Sequence, residues 1–489
     1  MKFDTSLLLE PQIPHTHKLA DSLFFNGVAW DGSETGTGKT YCAAAIARNF
    51  DGPIVVVGPK LILKKWKQVL NQFGKEAVVY INFEKLCRGN TPWLKYRKVA
   101  KPAVDLANKE KKKARRFHPD ETVAKYFNAV IYFPAGALVI VDESHRCKGV
   151  NSLQAGFLMS LKRQGYKVLM LSATQATSPL DMRAFGYATN LIPTPEMKEY
   201  KKFCIDSGAK ETGSFGAMVY DLNDGESRSK MGKVHDQLFD FSRIGSRLTR
   251  DGMGALFPEN EIICEAYDMG DNSVRIQHAY EMMEAEIRRL EEKTANYQAH
   301  VFAEIMKARR KIEMLKIPTL VQMTEDLFDE GKSVIVFVSF TETIETIGAH
   351  IERKQAFRGN NLIGYIYGER TIKQRDTDIE KFEADQKRVM LVNLACAESI
   401  GLHDVTGRYP RATLINPCFS AIKVLQAQGR AHRQGGLSKV YQRFVYADGT
   451  YENRICDKVS ARLDNLELLN DGDLTGGINF FRLAQGQNV

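Results

Sequence analysis

No Cys-x-x-Cys pair occurs anywhere in the chain. The eight cysteines, at positions 42, 87, 147, 204, 264, 396, 418 and 456, are scattered. That scatter speaks against a zinc site and against the disulfide framework of a small secreted fold. Reduced thiols in a cytosol-like compartment are expected instead. No apolar run approaches membrane-spanning length. Leu7-Leu8-Leu9 is cut off by Glu10 and Pro11, too short for a secretory signal. Low-complexity tracts are missing too, and 44% hydrophobic, 26% charged and 10% aromatic residues make a globular composition. A soluble intracellular protein is expected.

What is present starts with length. At 489 residues the chain is too long for a single core, so two or three domains are expected. The net charge of +9 suits a polyanionic partner, although many basic proteins bind no nucleic acid.

The richest stretch runs from Trp30 to Tyr41 and contains Gly36-Thr37-Gly38-Lys39-Thr40. Glycines let backbone N–H groups turn toward a phosphate with no Cβ in the way. Lys39 supplies one positive charge for β- and γ-phosphates, and the Thr40 hydroxyl is a hard oxygen ligand suited to Mg²⁺. The helix expected from Tyr41 to Arg48 aims its N-terminal dipole at the same anion. Ser33 stands where the full phosphate-loop pattern has glycine, with Gly32 one residue earlier. Taken alone, the stretch also reads as a Gly/Thr-rich turn between a strand and a helix. Ahead of it lies Gln12, 27 residues before Lys39. Its amide can donate and accept, as adenine recognition requires, or it is a solvated loop residue.

Downstream, Pro53 to Gly58 and Ala137 to Val141 are β-branched, apolar runs, the signature of strands buried on both faces of a parallel sheet. The second run delivers Asp142-Glu143-Ser144-His145 at its C-terminal end, where open α/β sheets place ligands. Asp142 suits the Mg²⁺ water shell, Glu143 the attacking water, and His145 a relay to neighbouring elements. His145 and Cys147 have no partner cysteines, so a metal is not read there. Lys167 to Leu171 is another buried strand, closed by Ser172-Ala173-Thr174, which reads as an ordinary strand end or as a coupling element. Ahead of the Asp-Glu-Ser-His strand, residues 95 to about 125 form a basic helical insertion with Lys111, Lys112, Lys113, Arg115 and Arg116. It is either a solvated charged face or a phosphate-contacting surface. Residues 206 to 255 read as a variable tail and linker, and 273 to about 316 as a long helical pattern.

A second α/β half begins at Ser333. It ends in Gln426-Ala-Gln-Gly-Arg430-Ala-His-Arg433-Gln-Gly435. Arg430 and Arg433, three apart, are expected on one helix face, where two guanidiniums could clamp a γ-phosphate or simply be a basic surface. Phosphate ligands in one half and paired arginines in the other imply one nucleotide in the cleft between them.

The motifs occur in a fixed order: Gln12, Gly-Lys-Thr, Asp-Glu-Ser-His, Ser-Ala-Thr, Gly401-Leu-His-Asp and Gln-x-x-Gly-Arg-x-His-Arg. In this order the chain resembles the superfamily 2 helicases over nearly its whole length. Within them Val-Ile-Val-Asp-Glu-Ser-His and Gln-Ala-Gln-Gly-Arg-Ala-His-Arg look most like Swi/Snf-type and phage-type DNA motors. The resemblance implies an α/β fold of two tandem RecA-like lobes, residues 1–250 and 251–489, with ATP and Mg²⁺ between them. It also implies phosphate and nucleotide contacts from Gly36, Thr37, Gly38, Lys39, Thr40, Gln12 and Gly401, with Thr40 and Asp142 on Mg²⁺. Glu143 would orient water, Gln426 and Arg430 sense the γ-phosphate, and Arg433 act as arginine finger. Lys60, Ser172, Thr174 and Gly401 would lie near the nucleic-acid track. The expected partner is duplex or branched DNA, handled by a monomer in bacterial or phage-infected cytosol, as in fork remodelling or branch migration. An RNA helicase is the first alternative, although the Asp-Glu-Ala-Asp box is missing. A nucleotide-gated binding module with little turnover is the second.

Overall fold

Alternation within the strands decides the architecture. In the first half of the chain Ile54, Val56, Leu138 and Ile140 bury into one apolar cluster, while Val55, Val57, Val139 and Val141 bury into another. Successive side chains of one strand point to opposite faces, so this sheet has a core on each side. The computed structural model describes residues 4–88, 91–96, 129–212, 217–221, 223–290, 295–398, 400–418, 420–472 and 474. Among these no helix is long and apolar enough to cross a membrane.

The chain forms two compact units, divided at Gly252 and Met253. The first holds a six-stranded, all-parallel sheet in the spatial order Gly245–Ser246, Val28–Asp31, Lys167–Leu171, Leu138–Asp142, Ile54–Gly58, Val79–Asn82. Strand Val28–Asp31 is followed in sequence by Ile54–Gly58, which lies three places away across the sheet. Such a jump opens a crevice at the C-terminal strand ends, the place where open α/β sheets bind ligands. The loop after Asp31 and the carboxylates after Val141 both emerge at these ends.

The second unit has its own six-stranded parallel sheet, in the order Asn260–Tyr267, Val440–Ala447, Arg411–Ile415, Ser333–Val338, Val389–Asn393, Ile363–Ile366. Two parallel sheets with connecting helices are the two-lobe α/β architecture expected from the motifs.

Three expectations are corrected. Residues 206–255 are not a linker: helix Gly225–Asp236 packs into the first unit, and Gly245–Ser246 is the edge strand of its sheet. The alternating-charge pattern of 273–316 is two helices, Asp271–Leu290 and Ala295–Leu315. The last helix, Glu452–Asp471, is not confined to the second half, because from Asp464 it belongs to the first unit. Leu468 and Leu469 join the first unit's core, and no feature of their local sequence distinguishes them from residues buried in the second.

Candidate nucleotide site

Helix Lys39–Arg48 follows directly from Gly38, and Gly36 and Gly38 sit at φ 92° and 95°. Only glycine adopts these angles without strain, so the two glycines fix the loop's path. Lys39 Nζ donates to the carbonyl oxygens of Ser33 (2.7 Å) and Glu34 (2.9 Å). Burial holds Lys39 below the usual lysine range, against the pull of Asp31, Glu143 and Asp142. Three carboxylates therefore face one ammonium. Thr40 is the second residue of the helix and is half-buried.

The loop is braced from three sides. Gln12 Nε2 donates to Thr37 O at 2.8 Å, and Gln12 Oε1 accepts from Leu9 N at 3.0 Å. The amide that the sequence offered to adenine thus ties the loop to the N-terminal segment. Ser33, in the usual glycine position, uses its hydroxyl to accept from Leu248 N at 2.9 Å and lies 3.3 Å from His15 Nε2. Asp31 is fully buried, 3.2 Å from His15 Nε2. Burial raises its carboxyl, but His15, Lys39 and Ser33 together hold it below the usual range.

Sequence reasoning missed the third brace, the stretch from Ser246 to Arg250. Arg247 donates to Gly32 O (2.8 Å) and pairs with Asp471 (2.5 and 3.1 Å). Arg250 donates its N–H to Glu34 Oε2 (2.6 Å) and its guanidinium to Thr35 Oγ1 (2.8 Å). Two arginines three apart after a short β-branched-poor strand were the available signal, hidden inside a Gly/Ser-rich region.

At the end of strand Leu138–Asp142, Asp142 Oδ1 accepts from Glu143 N (2.8 Å) and Oδ2 from Trp66 Nε1 (2.7 Å). Its carboxyl is pushed up to about 6, first by burial and then by Glu143. Glu143 itself has φ 55° and ψ 48°. A left-handed, non-glycine residue here stores strain of order 1 kcal/mol or more, a feature that clusters at functional sites. His145 Nδ1 is 3.2 Å from Glu143 Oε2 and 3.1 Å from Ser172 Oγ. Ser172 Oγ in turn accepts from Thr174 N (3.2 Å), and Ser144 donates to Gln175 at 2.6 Å. Asp-Glu-Ser-His and Ser-Ala-Thr are therefore joined through buried side chains.

In the second unit, Arg430 NH1 (3.2 Å) and Arg433 NH1 (2.8 Å) both donate to Ile400 O. The expectation that the two share a helix face is wrong. Helix Ala421–Ala431 stops before His432, whose backbone is extended and whose ring lies 2.9 Å from Pro258 O. Arg433 reaches the same carbonyl from beyond the helix. A Cβ on Gly401 would come within 3.3 Å of Arg433 NH1, so a larger residue there would press on the guanidinium. Gln426 is 2% exposed, and neither its amide nitrogen nor its amide oxygen has a hydrogen-bond partner among the described residues. A buried, unsatisfied amide costs roughly 1–3 kcal/mol, which a polar ligand would recover. Lys60 is exposed in a short turn after Pro59. Lys111, Lys112, Lys113, Arg115 and Arg116 lie outside the described residues.

Comparison with known proteins finds helicase relatives. A family model described as type III restriction enzyme, res subunit matches residues 32–177, and helicase conserved C-terminal domain matches residues 315–435. A putative ATP-dependent RNA helicase of Acanthamoeba polyphaga mimivirus is 31% identical over 483 residues, covering 97% of this chain and 85% of the relative. A solved structure of S. cerevisiae Dbp5 bound to RNA and ADP BeF3 spans 95% of this chain and 93% of that one, at 12% identity and a TM-score of 0.44. A variant of the same protein with the same ligands gives 11% and 0.47.

Proposed function

The chain belongs to the superfamily 2 helicases and is an ATP-dependent helicase, and from that premise we propose that it moves along or unwinds RNA. Lys39 and Thr40 are assigned to the phosphates, Asp142 and Thr40 to Mg²⁺, and Glu143 to the attacking water. Gln426, Arg430 and Arg433 are assigned to the γ-phosphate. The observation that carries the ATP reading is the convergence of a positive-φ glycine loop, Lys39 and the Asp142–Glu143 pair at the C-terminal strand ends.

The donor set fits the group it would hold. Asp142 keeps lone pairs on both oxygens beyond the bonds from Trp66 and Glu143, and Thr40 lies in the first turn of a helix whose free N-terminal N–H groups suit an anion. Mg²⁺, when bound, neutralises charge building on the transferred phosphoryl group. The chain's residues do the rest. The loop holds the phosphates, Lys39 orients them, and Glu143 polarises a water for in-line attack. His145 Nδ1 faces both Glu143 Oε2 and Ser172 Oγ, so a change in the carboxylate is felt in Ser-Ala-Thr. The unpartnered Gln426 amide supports its place as a γ-phosphate sensor.

RNA is preferred because the relative aligned over nearly the whole chain bears the name of an RNA helicase. Asp-Glu-Ser-His in place of an Asp-Glu-Ala-Asp box keeps duplex or branched DNA as a second reading. Steady-state ATP turnover without polynucleotide, then with RNA, single-stranded DNA, duplex DNA and a four-way junction, separates the two. Stimulation by RNA is expected. Stimulation by duplex or junction DNA alone would replace RNA with the DNA reading.

A further inference from the structure

The last turn of helix Glu452–Asp471 is gripped at three consecutive residues, each by a different part of the first unit. The Leu469 carbonyl lies 3.0 Å from His235 Nδ1. Asn470 Nδ2 donates to the carbonyl of Ala173, the middle residue of Ser-Ala-Thr, at 3.1 Å. Asp471 receives Arg247 Nε at 2.5 Å and NH2 at 3.1 Å. Arg247 also donates to Gly32 O at 2.8 Å and lies 3.7 Å from Glu34 Oε1. Asn470 is 1% exposed and the Arg247 side chain 5%. Leu468 and Leu469 are anchored in the core, so the turn cannot drift away from these partners without exposing apolar surface.

We propose that Asn470 and Asp471 are positioning residues of the ATP site, Asp471 setting the phosphate loop through Arg247 and Asn470 setting Ser172–Thr174 through Ala173. The proposal rests on the first unit's being the ATP-binding unit. Its logic is electrostatic. Arg247 shares its guanidinium between Asp471 and the loop. With Asp471 neutralised, Glu34 is the carboxylate left to it. Glu34 already accepts Arg250 N at 2.6 Å, and its carbonyl orients Lys39 at 2.9 Å. A shift of Glu34 toward Arg247 therefore moves the carbonyl that aims the lysine. Asn470 acts on the other half of the same machinery, since Ser172 Oγ faces His145 and His145 faces Glu143. Residues that orient metal ligands change affinity or activity by roughly 10–100-fold when removed, and an effect at the lower end of that range is expected here.

The test uses the full-length protein and four forms: wild type, Asp471→Asn, Asp471→Glu and Asn470→Ala. Equilibrium binding of a fluorescent ATP analogue and steady-state ATPase are measured on each, with thermal melting to establish that the variant is folded at the assay temperature. Asp471→Asn is expected to weaken nucleotide binding and raise KM for ATP by about tenfold, and Asp471→Glu to restore most of both. Asn470→Ala is expected to lower kcat by about tenfold with little change in nucleotide binding. Folded Asp471→Asn and Asn470→Ala proteins with wild-type binding, KM and kcat would overturn the proposal. If Asp471→Asn does not fold, an unchanged kcat in Asn470→Ala overturns it. Wild-type protein that bound no nucleotide would overturn the ATP-site reading itself, whereas normal wild-type binding beside unaltered variants removes only the role given to the helix end.

Discussion

Asp142 and Glu143 are adjacent carboxylates at one strand end, and their mutual repulsion adds to burial in raising Asp142 to about 6. Replacing Glu143 by Gln removes that repulsion and the group assigned to the attacking water. ATP turnover should fall by roughly 10²–10⁴-fold while nucleotide binding persists and the melting temperature rises; wild-type turnover would remove Glu143 from the mechanism. Asp31 behaves in the opposite sense. Its carboxyl is held below the usual range despite burial, by His15, Lys39 and Ser33. A carboxyl with a folded pKa below its unfolded one stabilises the fold above about pH 4 and loses that contribution as pH falls through the folded value. Asp31→Asn should therefore cost about 3 kcal/mol in urea unfolding at pH 7, and the difference from wild type should shrink below about pH 4. Equal stability at pH 7 would contradict the assignment. The phosphate-loop glycines, Lys39, Asp142 and Glu143 were legible in the sequence because each chemistry admits few residue types at fixed spacing. The roles of Ser33, Gln12 and Arg247 were not, because they depend on partners tens to hundreds of residues away: Thr37 for Gln12, Leu248 for Ser33, Asp471 for Arg247.

Among elements, the parallel strands were the most readable, since runs such as Ile54–Gly58 and residues 334–338 carry no polar side chain. Helix ends were less so. The pattern Gln-x-x-Gly-Arg-x-His-Arg looked helical throughout, yet the helix stops at Ala431, where the His432 ring meets Pro258 O instead. The C-terminal helix lies in the half expected to form the second lobe, yet from Asp464 it belongs to the first unit. Its start is held by a buried pair: Lys316, 0% exposed, reaches Glu452 Oε2 at 2.9 Å and Val445 O at 2.6 Å. Glu452 also accepts from Ala447 N (2.7 Å) and Tyr280 OH (3.2 Å). Lys316→Met would leave a buried carboxylate without its cation and should destabilise the protein by about 3–5 kcal/mol in urea unfolding. A loss under about 1 kcal/mol would show that Glu452 is satisfied by neutral donors alone.

At the scale of the whole molecule, cysteine usage and charge pointed to a soluble, reduced, polyanion-binding chain, and the motif order pointed to a two-lobe motor. Burial pushes the thiols of Cys42, Cys87, Cys204 and Cys456 up to about 12. These four should resist iodoacetamide at pH 8 in native protein and react after unfolding, as read by mass spectrometry; rapid native labelling of Cys42 would contradict its burial beside the phosphate loop. DNA against RNA was not legible, since motors of both kinds grip the backbone without reading sequence. The proposed function requires that ATP hydrolysis at Lys39 and Glu143 drive work on RNA. The most direct measurement is real-time strand displacement from a tailed, fluorescently labelled RNA duplex, with and without ATP, by wild type and Glu143→Gln. Displacement is expected from wild type with ATP only, and none from the variant. Equal displacement without ATP, or by Glu143→Gln, would contradict it.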